Sequence, residues 1–203
     1  MIAGIILAAG EGKRIGKDKL KLPLGSKSVI EWVLNTVLSS MIEKIIIVTK
    51  PDDINLFEIV EKLNTELVTN PDYKQGMSTS IKKALIEVNN YKNIDAFFLI
   101  LGDQPFITPQ IINTLISNFT KSKKEIVVPY YHGKRGNPVL FDIEWKEELM
   151  NITGDVGGRV LIKNYPDYVK KVCINDDAIL FDIDTDFDYL NAYKYFMKSN
   201  DNK

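Results

Sequence analysis

Short apolar runs rich in isoleucine and valine alternate along the chain with stretches whose apolar residues recur every three or four positions. Ile2–Leu7 is continuously apolar, the pattern of a strand buried on both faces. Lys44–Thr49 and Ala96–Leu101 read the same way, and Glu66–Thr69 is a shorter strand. Val29–Leu38 carries apolar residues at 29, 30, 32, 33, 34, 37 and 38, which suits a helix packed on a sheet. Ile54–Leu63, Thr79–Val88 and Ile111–Phe119 are further helices, the last with Pro109 where a first turn begins. Ile126–Pro129 and Pro138–Phe141 are strand-like, with the Gly133–Pro138 loop between them. Glu144–Met150 and Val156–Asn164 read as helices, Tyr168–Ile174 and Ala178–Asp184 as extended segments, and Phe187–Met197 as a closing helix.

This alternation predicts an α/β fold: a Rossmann-like, mostly parallel sheet flanked by helices on both faces. The strand pair around His132 adds a small antiparallel element. A single domain over residues 1–198 is expected, with 199–203 as a frayed tail.

Composition removes several function classes. The 203 residues are 45% hydrophobic and 26% charged, enough for a full core. The net charge of −1 argues against a nucleic-acid groove or a polybasic membrane surface, both of which need a cationic excess. With Cys173 as the one cysteine and His132 as the one histidine, common zinc sites and histidine-based triads are not expected. The apolar start lacks a basic n-region and runs into a charged glycine-rich loop, so it reads as a first core strand and not as a signal peptide. No stretch is long enough to span a bilayer, and a cytoplasmic protein is expected.

Arginine is scarce. Of 26 basic residues only Arg14, Arg135 and Arg159 are arginine, and each lies in a glycine-containing loop. A guanidinium offers a rigid donor fork suited to phosphate, and glycine lets backbone N–H groups approach an anion closely.

In α/β sheets ligands bind at the carboxyl ends of strands. The loop after the first strand holds Gly10, Gly12 and Gly16 with Lys13, Arg14, Lys17 and Lys19. It is not a dinucleotide fingerprint, because Ile15 stands where the third glycine is needed. It is not a P-loop either, because five residues separate Gly10 from Gly16 and Asp18 follows Lys17. A loop this rich in cations fits a ligand of dense negative charge, such as a nucleoside triphosphate.

Carboxylates complete the picture. The strand ending at Leu101 runs into Gly102-Asp103-Gln104-Pro105, which places Asp103 over the same crevice. Asp103 suits an Asx turn or, with a triphosphate present, a magnesium ligand. Period two puts Asp182 and Asp184 on one face of the late extended segment, while Asp186 and Asp188 suit the start of the following helix. Gln75-Gly76-Met77-Ser78-Thr79-Ser80 opens a helix with hydroxyls fit to cap N–H groups or to touch a base or ribose.

Leu7-Ala8-Ala9-Gly10-x-Gly12-x-Arg14-Ile15-Gly16-x-x-Lys19, followed by Leu22-Pro23-Leu24, resembles the signature of the nucleotidyltransferases that activate sugars, isoprenoid precursors and molybdopterin. Tyr131-x-Gly133-x-Arg135-Gly136-Asn137-Pro138-Val139-Leu140-Phe141 resembles the acceptor-side loop of the molybdenum cofactor nucleotidyltransferases, a family with a MobA-like NTP transferase domain. Gly154-Asp155-x-Gly157-Gly158-Arg159 resembles the loop before their late helix. Asp103 and Asp184-Thr185-x-x-Asp188 match the family's metal-bearing segments, although Asp186 stands where proline is usual, and Asn137 where histidine is common.

The resemblance implies a nucleotide-diphospho-sugar transferase-like fold and transfer of CMP from CTP to the phosphate of molybdopterin with release of pyrophosphate. Arg14, Lys19 and Asp103 would carry catalysis. Leu7, Ala8, Ala9, Gly10, Gly12, Ser78, Ser80 and Gly102 would join Arg14 and Lys19 around the nucleotide. Arg135, Asn137, Asp155, Gly157 and Arg159 would face the acceptor, and Asp103, Asp184 and Asp182 would hold Mg2+. Ala9 matches the form associated with cytidylyl transfer, where guanylyl transferases tend to have glycine. Partners implied are CTP, a molybdopterin-type phosphomonoester and, transiently, a molybdoenzyme, with no nucleic acid and no membrane. A sugar phosphate or another phosphomonoester is the alternative acceptor, and a non-enzymatic carrier of a nucleotide-bearing cofactor is the alternative of a different class.

Overall fold

The computed structural model describes all residues other than 11, 13, 14, 16, 17, 62, 64, 122 and 201–203, with 198–200 described by backbone alone. In chain order the strands are β1 (Ile2–Leu7), β2 (Pro23–Leu24), β3 (Lys27–Ser28), β4 (Lys44–Thr49), β5 (Glu66–Thr69), β6 (Ala96–Leu101), β7 (Ile126–Tyr131), β8 (Lys134–Arg135), β9 (Val139–Asp142) and β10 (Val169–Cys173). The helices are α1 (Val29–Leu38), α2 (Ile54–Glu61), α3 (Met77–Val88), α4 (Pro109–Asn118), α5 (Lys146–Met150), α6 (Arg159–Asn164) and α7 (Asp186–Asn200).

One eight-stranded sheet runs β10-β7-β9-β6-β1-β4-β5, with β8 paired to β7. The β6, β1, β4 and β5 neighbours are parallel, as are β7 and β10. Strand β9 runs antiparallel between β6 and β7. Residues entering β9 therefore lie at the edge where β1 and β6 end. That reversal brings the Arg135–Asn137 turn to the carboxyl edge of the parallel strands.

Side chains alternate between two cores, as the period of a strand requires. Ile6 and, on β6, Phe98 and Ile100 pack with Val33, Leu34 and Leu115 of α1 and α4. Ile5 and, on β6, Phe97 and Leu99 pack on the opposite face with Ile81 and Leu85 of α3. Fully burying one such side chain contributes about 2 kcal/mol, which explains why the central strands are apolar on both faces. Helix α1 starts with a capping box in which the Ser28 N–H donates to Glu31 Oε2 at 2.7 Å. A third, smaller cluster joins Ile15, Leu24, Val29, Ile183 and Ala192, and it holds α7 over the β2–β3 hairpin. Gly25 sits at φ +68 under the Phe196 ring, where any Cβ would collide.

Several segments differ from the pattern-based expectation. The extended segment expected over Ala178–Asp184 is absent: Asp177–Leu180 forms a 3-10 turn, started by the Ala178 N–H donating to Asp176 Oδ1. The helix expected from Val156 starts at Arg159, because glycines occupy 157 and 158. Helix α3 starts two residues early, at Met77. Helix α7 includes 199 and 200, while 201–203 of the expected tail lie outside the described residues. Among the described residues no helix is long and apolar enough to cross a membrane.

Candidate active site

A cavity of about 740 Å³ opens at the carboxyl edge of the sheet. Its floor is the end of β1, contributing Leu7, Ala9, Gly10 and Gly12. One side is acidic, with Asp103, Asp182 and Asp184 around Lys19. The other side carries Arg135, Asn137, Asp155, Gly157 and Arg159. Residues more than a hundred positions apart thus face one space.

Lys19 lies in a 3-10 turn, Lys19–Lys21, after the first loop. Its Nζ donates to Asp103 Oδ2 at 2.5 Å and to Asp184 Oδ1 at 2.6 Å. The three side chains are 13%, 16% and 35% exposed, so this ionic cluster is only partly hydrated. Burial by itself lowers the Lys19 pKa, but the charges and hydrogen bonds of Asp103 and Asp184 outweigh it, and the net shift is upward. Lys19 is therefore a fixed cation at neutral pH. Asp182 is shifted upward as well, first by burial and then by the negative charges of Asp103 and Asp184.

The late acidic segment reaches Asp103 through its backbone. The Ile183 N–H donates to the Asp103 carbonyl at 3.1 Å, and the Ile183 side chain is fully buried in the third cluster. Ile183 thus anchors Asp182 and Asp184, which flank it, without a strand ladder. Asp188 serves α7 instead: its carboxylate accepts from the Thr185 N–H at 2.8 Å, and its own N–H donates to Thr185 Oγ1. This is a capping box with aspartate in the third position.

Other expected residues lie beneath the cavity, outside its described wall. Ala8 is fully buried and donates its N–H to Val48 O. Gly102 donates to Leu7 O, tying β6 to β1. Ser78 is buried, with its N–H on Gly154 O. Arg14 lies outside the described residues.

The acceptor-side glycines are explained by packing. Gly76, at φ +111, lets the turn before α3 touch the Gly154–Asp155 backbone, where an added Cβ would sit 2.5 Å from the Gly154 carbonyl carbon. Asp155 accepts from the Met77 N–H, so it caps α3 from a distant loop while lining the cavity. Gly136 packs on Ile179, and the Asn137 N–H donates to Ile179 O. Arg135 and Arg159 are exposed and have no ion-pair partner among the described residues.

Residues that sequence reasoning passed over include Asn70, Tyr73 and Lys74. Tyr73 and Lys74 line the cavity, and Asn70 is fully buried beside it. The Asn70-Pro71 turn signal directly after β5 was the available clue.

A triphosphate-sized cavity at the carboxyl edge of a largely parallel sheet, walled by a glycine-rich loop and a lysine–carboxylate cluster, belongs to a nucleotidyltransferase. Residues 4–169 match the family model for the MobA-like NTP transferase domain, and the chain belongs to that family. It is 27% identical to the probable molybdenum cofactor guanylyltransferase of Natranaerobius thermophilus, over 98% of both chains. It is 28% identical to the molybdenum cofactor cytidylyltransferase of Escherichia coli, over 93% of both. The crystal structure of the Mycobacterium sp. strain JC1 homologue of Mycobacterium tuberculosis Rv0371c superposes with a TM-score of 0.87 at 27% identity, covering 97% of each chain.

Proposed function

We propose that this enzyme transfers CMP from CTP to the phosphate of a molybdopterin-type acceptor and releases pyrophosphate. The observation that carries the reading is the two-sided cavity: a lysine–carboxylate cluster beside the glycine-rich loop, and two arginines without ion-pair partners among the described residues facing it. Relatives that carry out guanylyl and cytidylyl transfer in molybdenum cofactor synthesis are similar over nearly the whole chain, which supports the acceptor class. The choice of cytidine rests on Ala9, which lines the floor and leaves less room for a purine than glycine.

In the proposed reaction an oxygen of the acceptor phosphate attacks the α-phosphorus of CTP. The bond from that phosphorus to the bridging oxygen breaks, and pyrophosphate leaves with the bond's electron pair. A phosphate monoester has a second pKa near 6, so its oxygen is already anionic at neutral pH and needs no general base. The chain's residues position and neutralise instead. Lys19 spans the α-phosphate and the attacking oxygen, Arg14 and the loop amides hold the outer phosphates, and Arg135 and Arg159 seat the acceptor phosphate.

The acidic side fits a divalent cation, for which Mg2+ is the proposed ion. Asp103 Oδ1 is buried with no hydrogen-bond partner among the described residues, and the ionised form of Asp182 is disfavoured first by burial and then by its two acidic neighbours. No three such ligands converge among the described residues, and Lys19 pairs with Asp103 and Asp184. Asp103, Asp184 and Asp182 would hold the ion, which supplies neutralisation of phosphate charge when bound.

Pyrophosphate release assayed with CTP, GTP and ATP in parallel, against molybdopterin and several sugar phosphates, tests the proposal. Release dependent on CTP and molybdopterin is expected. Release with a sugar phosphate alone would replace the acceptor, and tight cofactor binding with no release would make the protein a carrier.

A further inference from the structure

Beside the cavity lies a buried hydrogen-bond relay that the proposed reaction does not use. Asn70 follows β5, is fully buried, and donates its backbone N–H to Thr49 O at the end of β4. Its side-chain amide is oriented unambiguously: the Asp72 N–H donates to Asn70 Oδ1 at 3.0 Å, so the NH2 end faces α3. From there Nδ2 donates to Thr79 Oγ1 and to Ser80 Oγ, both at 2.9 Å. Thr79 passes its own proton to Gly76 O at 2.8 Å. Ser80 has no such outlet. It is 5% exposed, lines the cavity, and has no acceptor for its hydroxyl proton among the described residues.

A hydroxyl that accepts from an amide keeps one proton to give. We infer that Asn70 is a positioning residue that fills one lone pair of Ser80 and turns its hydroxyl proton toward the nucleobase, so that a base presenting an acceptor there is favoured. The inference rests on the reading of the cavity as a nucleoside triphosphate site. Within that site Ser80 is tied to Asn70 at the end of β5, on the β4–β5 side, whereas Arg135 and Asn137 lie on the β7–β9 side; the Gly154–Asp155 loop meets α3 at its first turn, through Gly76, Met77 and Ser78. Cytosine offers two neighbouring acceptors, its ring nitrogen N3 and its carbonyl O2. A buried donor that meets no acceptor is costly, so the relay selects by penalty as well as by attraction.

The variant Asn70→Asp inverts the relay at nearly constant shape. A carboxylate still accepts from the Asp72 N–H but now takes the Ser80 proton, which leaves Ser80 with only lone pairs to show the base. CTP binding by the whole protein is measured by calorimetry for wild type, Asn70→Asp, Ser80→Ala and the double variant, with inorganic tripolyphosphate as the base-free probe. Asn70→Asp and Ser80→Ala each weaken CTP about tenfold, the factor carried by one hydrogen bond of ordinary net strength. The double variant is no weaker than either single one, and tripolyphosphate binds all four proteins alike.

Wild-type CTP affinity in Asn70→Asp, an equal loss for tripolyphosphate, or multiplying losses in the double variant would overturn the inference. If wild type prefers GTP and both single variants weaken it, the relay stands and the cytidine reading falls. If wild type binds no triphosphate, both fall. Should Asn70→Asp not fold, 3-deaza-CTP and 2-thio-CTP replace it. One of them binds wild type about tenfold more weakly than CTP but binds Ser80→Ala equally well, whereas losses of the same size in both proteins overturn the inference.

Discussion

The two halves of the cavity are built on opposite principles. On the acidic side Lys19, Asp103 and Asp184 are mostly buried, mutually ion-paired and tied through the Ile183 backbone bond to the core. On the other side Arg135 and Arg159 stand exposed, while the glycines beside them carry the packing. Charges held in a partly dehydrated cluster interact strongly and need no reorganisation during reaction. Exposed guanidinium groups are screened and adaptable. If the proposed roles hold, the contrast sets fixed chemistry on one side against an adjustable grip on the other.

Four experiments test this contrast. Asp103→Ala is expected to lower turnover about 10³-fold, since it removes a proposed metal ligand together with a partner of Lys19. Pyrophosphate release with saturating Mg2+ measures it, and near wild-type turnover would sink the metal assignment. Lys19→Met should cost about 10² in kcat with little change in acceptor KM, as expected of a contact made mainly in the transition state. A change confined to KM would move Lys19 from chemistry to binding. Arg159→Ala should raise acceptor KM about tenfold and leave nucleotide KM alone, because it removes one exposed phosphate contact. Raising salt should mimic it in wild type. Equal effects on both substrates would erase the proposed division of the cavity.

The smallest effect concerns Asp182. Its folded pKa lies above the ordinary 3.8, so the folded chain holds the proton more tightly than the unfolded chain. No cost exists at pH below 3.8; the cost grows as pH rises from there and is complete above the folded pKa. Asp182→Asn should therefore raise Tm by about 2 °C at neutral pH. At pH 3 the gain should vanish, and a gain of the same size there would show that charge is not its source.

Much of the scaffold was legible in advance. β1, β4, β5, β6 and α1 begin and end at the residues that the hydrophobic pattern marked. These elements are local in origin: in β1, β4 and β6 mainly apolar runs must be buried on both faces, and in α1 a capping box starts the helix. The place of Asp103 at the sheet edge was likewise readable, because it follows directly on the apolar strand that ends at Leu101. The pattern failed where distant contacts govern. Asp182 and Asp184 were expected on a strand, yet the segment is held by the Ile183–Asp103 backbone bond, the Lys19 contact to Asp184 and the Asp184 N–H donating to Asp188. Asp155 is expected to face the acceptor, and what the structure shows is a cap on α3 across 78 residues. Gly102 and Ala8 are expected around the nucleotide, yet their backbone bonds tie strands together below the cavity.

The sequence alone determined the α/β class, the glycine-rich loop and the residue types of a phosphate-handling site. These depend on periodicity and on the chemistry of single side chains. The tertiary structure decided which of those residues share a space, that Lys19 lies between two carboxylates, and that Asn70 donates to Ser80 at the cavity wall. The reason is physical: burial and hydrogen-bond direction are set by neighbours far away in the chain, and a side chain's identity says what it can donate but not to whom.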